Sequence, residues 1–338
     1  MQKKNLNTRK VIGYVLGLVV FSFLVYIGGA KTLKASFKPH LGYLFLTFLS
    51  MLTVFLISSI RWGYIINSVK GRKVCSYFDY FLYFMAGRFS GQYISAAAGD
   101  FLLRPAALKR IQGVNLKLGI SSSILDKLLD VLFICILIVP SLLYVFGVLS
   151  EFAAVVIVAI LVTGLLAFFF LKGAIFLPVL RKCLLVLLTK LRAVGLFGKL
   201  IKDKHIEAVE DLKNLEVFRK NILILPVIIT IIRYGFLILR IYFLSAALGL
   251  KIPLFVLVAG IPIAQLSLAL AITPGALGVL ELGWEGILSF CVVAEISQGD
   301  ISTFLFGQRF YWLIFTSIIF MAMYLLAGIK NLYKNSRD

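Results

Sequence analysis

The residues best suited to chemistry lie around two interruptions in otherwise apolar sequence. The first reads Gly99-Asp100-Phe101-Leu102-Leu103-Arg104-Pro105, with Arg88 eleven residues upstream of Gly99. The second reads Thr273-Pro274-Gly275-Ala276-Leu277-Gly278-Val279-Leu280-Glu281, with Glu285 one turn further on. Between them, Asp126 and Asp130 stand four apart, a spacing that puts both carboxylates on one helix face and lets them address one partner. Arg233 and Arg240 are seven apart on one face of a long apolar run, and Arg309 is deep in the last such run. Arginines facing a cavity suit a phosphate, because each guanidinium offers its oxygens bidentate donors.

Two readings of these charges stay open: an internal salt-bridge network, or a ligand site. Pro274 stops a helix, Gly275 and Gly278 permit tight turns, and the helix restarting after them would present free amides suited to an anion. Glu281 and Glu285 near that start either complement the helix dipole or carry a proton or an ammonium contact, and at membrane depth the second reading is favoured. Arg61, beside Trp62 near a helix end, is expected to snorkel to the interface.

The elements that must position these residues follow from composition. A chain of 338 residues that is 61% hydrophobic and 15% charged, with mean hydropathy +1.01, cannot fold as a water-soluble globule. Apolar runs of membrane-spanning length are read at Val11–Gly29, Leu41–Ile66, Tyr77–Ala98, Ile120–Phe146, Phe152–Leu171, Ile222–Leu248, Ile252–Ile272, Leu277–Ala294 and Ile301–Gly328. The first has a basic flank but no small-x-small cleavage site, so it reads as a retained signal anchor.

Net charge +20 does not indicate nucleic acid, because the Lys and Arg residues fall mainly in short connections between apolar runs, where they set membrane topology. Single crossings throughout would put the basic Lys172–Lys220 stretch on the wrong side. The conflict disappears if Tyr77–Arg110 is a hairpin that enters and leaves on one face, its second arm being short and polar. Of the 35 Lys and Arg, 25 then lie inside, four outside and six within apolar runs.

By the same count Ile252–Ala294 leaves and re-enters the opposite face, as a re-entrant hairpin or as two thin spans. The expected fold is therefore all-α: a polytopic helical membrane protein with about six full spans and two broken-helix hairpins entering from opposite faces. Residues 1–10 form a basic cytoplasmic N-terminus, 11–328 a single transmembrane domain, and 329–338 a cytoplasmic tail. Within that domain 172–220 is a cytoplasmic basic loop whose apolar residues repeat at helical spacing, as in an interfacial amphipathic helix. Localisation in the plasma membrane is expected, with both termini cytoplasmic. The two breaks would bring Arg104 and Glu281 to opposing sides of one central cavity, an arrangement like that of secondary transporters.

The motifs of ATP hydrolysis, zinc catalysis and serine-based triads are missing, and the two histidines, His40 and His205, lie in unrelated loops. Cys75, Cys135, Cys183 and Cys291 are isolated, which gives no metal site or disulfide framework. No cofactor is expected. The mixed signs of the intramembrane charges also argue against an ion channel.

Taken in order, Arg61-Trp62, Gly99-Asp100-x-x-x-Arg104 with Leu108 and Arg110 after it, Asp126-x-x-x-Asp130, and Pro274-Gly275-x-x-Gly278-x-x-Glu281 resemble the membrane domain of lysylphosphatidylglycerol synthase and its stand-alone flippase-like relatives. The resemblance runs from about Val11 to Gly328 and departs at Asp126, where the family more often has glutamate. It implies a protein that moves a lipid with a charged head group, such as aminoacylated phosphatidylglycerol, another phospholipid or a polyprenyl phosphate, between leaflets. It also implies a stand-alone membrane domain, since the sequence offers no aminoacyl-transfer site; a transporter is favoured over an enzyme.

The positions carried over are Asp100, Arg104, Asp126, Asp130, Pro274, Gly275, Gly278 and Glu281. In the mechanism expected, the lipid phosphate meets Arg104 with Arg88, Arg233 or Arg309, while Glu281 and Asp130 receive a head-group amine or exchange protons. The competing expectation is a membrane subunit of a lipid-modifying system, such as a phosphatidylglycerol lysyltransferase or a lipid-linked glycosyltransferase. The expected partners are anionic or phosphate-bearing lipids and, on the competing reading, a separate transferase.

Overall fold

The computed structural model describes residues 37–94, 98–193, 223–270, 273–293 and 295–335. The segment Val11–Gly29 read as a signal anchor, residues 194–222 and the last three residues lie outside the described residues. Helices dominate: α1 (Leu41–Lys70), α2 (Tyr77–Tyr93), a π turn (Gly99–Leu103), α3 (Arg104–Gln112), α4 (Leu116–Val145) and α5 (Glu151–Ala193), followed by α6 (Ile224–Ala247), α7 (Leu254–Leu270), a 3-10 turn (Pro274–Ala276), α8 (Val279–Ser289) and α9 (Gln298–Asn335). This is an all-α polytopic membrane protein, and five of the described helices are long and apolar enough to cross a bilayer: α1, α4, the Glu151–Leu171 part of α5, α6, and α9 as far as Gly328.

Local sequence sets where these helices start and stop. Ser76 and Asp79 form a reciprocal capping box at the start of α2, with Ser76 Oγ accepting from the Asp79 amide at 3.2 Å and Asp79 Oδ2 from the Ser76 amide at 3.3 Å. Asn115 accepts from the Lys117 amide at 3.0 Å and caps α4. Gly71 and Gly113 close α1 and α3 in the left-handed conformation, at φ 65° and 64°.

The two hairpins enter from opposite ends of the bundle. The His40 amide donates to the Ala247 carbonyl at 2.8 Å, so the start of α1 and the end of α6 share one end. The Val292 amide donates to the Val145 carbonyl at 3.0 Å, which places the end of α4 beside the end of α8. The α2–α3 hairpin leaves from the end of α1 and returns to the start of α4. The α7–α8 hairpin lies between the end of α6 and the start of α9. At 1.5 Å per residue the nine residues of α3 and the eleven of α8 rise about 14 and 16 Å, roughly half the hydrocarbon thickness. For the second hairpin this supports the re-entrant reading, its return arm being shorter than a spanning helix.

One large apolar cluster, including Phe55, Phe84, Trp284 and Phe304, ties α1, α2, α8 and α9 together. A second cluster around Trp62, Tyr80, Tyr83 and Leu108 pins the first hairpin to α1. Helix α5 is peripheral: the apolar window of its spanning part is only 6% buried, as suits a surface facing lipid tails. Its helix runs unbroken to Ala193. Residues 172–193 are thus helical and continuous with the spanning part. The remainder of the basic loop lies outside the described residues.

Candidate functional site

Glycine decides how the first break is built. A methyl group on Gly99 would collide with the Gly87 carbonyl oxygen and come within 3.0 Å of the Gly91 Cα. Two arms of one hairpin thus touch backbone to backbone, the close approach that small residues permit in membranes. The π turn absorbs the extra residue between this contact and Pro105. It swings Asp100 and Arg104 inward, where they are 3% and 0% exposed. The Arg104 guanidinium lies between Trp62 and Phe84, its carbon 4.5 and 4.7 Å from the two ring centroids.

Around this turn the intramembrane charges form one connected network. Arg104 Nη1 donates to Asp100 at 2.9 Å and Nη2 reaches Asp126 at 3.4 Å. Lys127 Nζ lies 2.7 Å from Asp100, and Arg88 Nη1 stands 3.6 Å from the same carboxylate. Arg61 is the hub. It donates to Asp126 Oδ1, Asp130 Oδ1 and Thr230 Oγ1, each at 2.7 Å, and to the Asp126 carbonyl at 3.0 Å. Arg233 completes the set at 2.7 Å from Asp130.

Five cations therefore face three carboxylates, an excess of two. The snorkelling expected of Arg61 is corrected here: the residue is 1% exposed, because the Asp126/Asp130 pair offers it two carboxylates on one helix face. The four-residue spacing does bring both acids to one partner, and that partner is Arg61. Lys127, not among the candidates from sequence, belongs to the site through Asp100.

The second break is built around Arg309. The chain turns through left-handed Gly275 (φ 59°) and Ala276 (φ 59°), and Gly278 (φ 81°) precedes α8. Arg309 stitches this irregular backbone, Nη1 donating to the Gly275 carbonyl at 2.8 Å and Nη2 to the Ala276 carbonyl at 3.2 Å. Its Nε donates to Glu281 Oε1 at 2.6 Å, while Glu281 Oε2 accepts from the Gly278 amide at 2.8 Å. Glu281 thus caps α8 and pairs with Arg309 at once. Pro274 contributes through its backbone to the 3-10 turn that follows α7. Glu285 sits apart, accepting from Gln298 at 2.6 Å near the end of the bundle.

The two breaks meet. A methyl group on Gly275 would stand 2.8 Å from the carbonyl oxygen of Gln92, the penultimate residue of α2. Beside this contact a cavity of about 50 Å³, partly open to the exterior, is lined in its polar part by Arg88, Arg240, Arg309, Gln92, Gln265 and Gln308. Arg104 and Glu281, expected on its opposing walls, are buried behind it as supports of the two breaks, because their charges are taken up by neighbouring groups. Arg233 is likewise drawn to Asp130, while Arg240, two turns further along α6, reaches the cavity. The glutamines were missed in the sequence, although an amide embedded in an apolar run was a readable signal for each.

Residues 10–320 match the family described as the lysylphosphatidylglycerol synthase TM region. No curated protein and no solved structure matches the chain.

Proposed function

We propose that this chain, which belongs to the lysylphosphatidylglycerol synthase TM region family, moves a lipid with a charged head group between bilayer leaflets. The observation that carries the reading is the junction of the two broken hairpins: they enter from opposite ends and meet at a polar cavity lined by three arginines and three glutamines. Irregular backbone at membrane depth is tolerated where it is buried or lines such a cavity. The head group passes the junction while the acyl tails stay among lipids outside the bundle. Arg104 and Glu281 act by holding the two breaks in register. The basic residues at and after the end of α1 and those that end α3 gather at one end of the bundle, Lys70, Arg72, Lys73, Lys109 and Arg110 among them. That asymmetry supports a cytoplasmic assignment for this end, in the plasma membrane.

The test is transbilayer movement of head-group-labelled phospholipids in proteoliposomes. Wild type moves at least one lipid, and Arg104→Ala and Glu281→Gln both lose that movement; unchanged movement in folded variants refutes the reading. The family's name favours one other reading, a membrane subunit of a lipid-modifying enzyme. On that account the purified chain moves no lipid and retains a soluble transferase during isolation.

A further inference from the structure

The cavity's polar wall has a single sign. Arg88, Arg240 and Arg309 are its charged residues, Gln92, Gln265 and Gln308 are neutral, and no carboxylate is among the described lining residues. The acids of this region lie behind the wall and are already paired: Asp100 by Arg104, Lys127 and, at 3.6 Å, Arg88, Asp126 by Arg61, Asp130 by Arg61 and Arg233, and Glu281 by Arg309. An ammonium group entering the cavity would find cations and no counter-charge.

The three arginines are not equivalent. Each nitrogen of Arg309 already donates to Glu281 or to the Gly275 and Ala276 carbonyls. Arg240 is 4% exposed and has no ion pair or hydrogen bond among the described residues; its guanidinium rests on Trp312, 5.0 Å from the ring centroid. Its Nε, the Nε of Arg88 and both amide atoms of Gln92 are buried without partners. Buried polar atoms are nearly always satisfied, and here several orphans converge on one space. A buried arginine without a carboxylate is costly in a membrane. An incoming anion relieves that cost, and a guanidinium fork matches phosphate oxygens.

We infer, resting on the translocation reading, that this cavity takes the phosphate of a lipid head group carrying no ammonium, with Arg240 and Arg88 as its anchors. Phosphatidylglycerol and a polyprenyl monophosphate share this chemistry. A lysylated head group, with its two amines, does not.

Purified protein in detergent is titrated with short-chain phosphatidylglycerol, a short-chain polyprenyl monophosphate and lysyl-phosphatidylglycerol, and the same three lipids are followed in proteoliposomes. Saturable binding of either phosphate lipid, at least tenfold tighter than the lysylated one, is expected, and the tighter of the two identifies the source. Arg240→Gln weakens that binding at least tenfold, while Arg240→Lys keeps the charge, loses the fork and binds at an intermediate level. Equal or tighter binding of the lysylated lipid overturns the inference, as does binding indifferent to both Arg240 variants or no binding at all. Phosphate-lipid binding without movement of any lipid leaves this assignment standing and removes the translocation reading. Movement unaffected by Arg240→Gln does the reverse.

Discussion

Arg61→Met tests the central network most directly. Arg61 makes four hydrogen bonds, to Asp126 Oδ1, Asp130 Oδ1, Thr230 Oγ1 and the Asp126 carbonyl. Methionine keeps much of the length and removes all four. Asp130 retains Arg233 at 2.7 Å, but Asp126 is left with Arg104 at 3.4 Å. Breaking a buried ion pair from one side costs about 3–5 kcal/mol, and the surviving contacts put the loss near the lower end, about 3 kcal/mol.

The assay is reversible unfolding in mixed micelles of increasing denaturing-detergent fraction, followed by helical circular dichroism. Asp126→Asn is expected to cost a similar amount. The double variant removes one cation and one anion together, so its loss falls short of the sum by about 2 kcal/mol, the coupling expected of directly bonded residues. A loss under about 0.5 kcal/mol for Arg61→Met would return Arg61 to the interface as a solvated side chain and refute the network as a stabilising unit.

Two further outcomes follow from the same geometry. Gly275→Ala places a Cβ in the left-handed region and 2.8 Å from the Gln92 carbonyl oxygen, a strain of at least about 1–2 kcal/mol; thermal unfolding shifts down, and lipid movement falls because the junction of the two hairpins is forced apart. Lys127→Met removes the 2.7 Å contact to Asp100 while Arg104 remains at 2.9 Å, and the loss in the unfolding assay is about 1.5–3 kcal/mol, the range for a hydrogen bond to a charged group.

The long helices and both breaks were legible in the sequence because hydropathy and the glycine-proline punctuation are local signals. The Asp126/Asp130 spacing was legible for the same reason, since helical periodicity fixes a shared face. Partner choice was not. Arg61 lies near the end of an apolar run, and its position along the helix says nothing about which neighbour its face meets. Arg233 and Arg240 share a face but are seven residues, about 10.5 Å, apart along the axis. That distance separates a residue tied to Asp130 from one that lines the cavity. Arg104 and Glu281 carry the motifs most open to reading, yet their roles depend on tertiary contacts that turn them away from the open space.

The charge excess described for the first break grows when the second is included. Arg61, Arg88, Arg104, Lys127, Arg233, Arg240 and Arg309 stand against Asp100, Asp126, Asp130 and Glu281, seven cations to four carboxylates at the heart of the bundle. A fixed positive interior repels small cations, as a pore-lining arginine does in channels that must exclude protons. If a lipid head group passes here as proposed, the opening it needs would otherwise be a leak for sodium, potassium and protons. On the proposed translocation reading, the surplus guanidinium charge would keep that route insulating toward them, letting lipids exchange between leaflets while the ion gradients across the membrane persist.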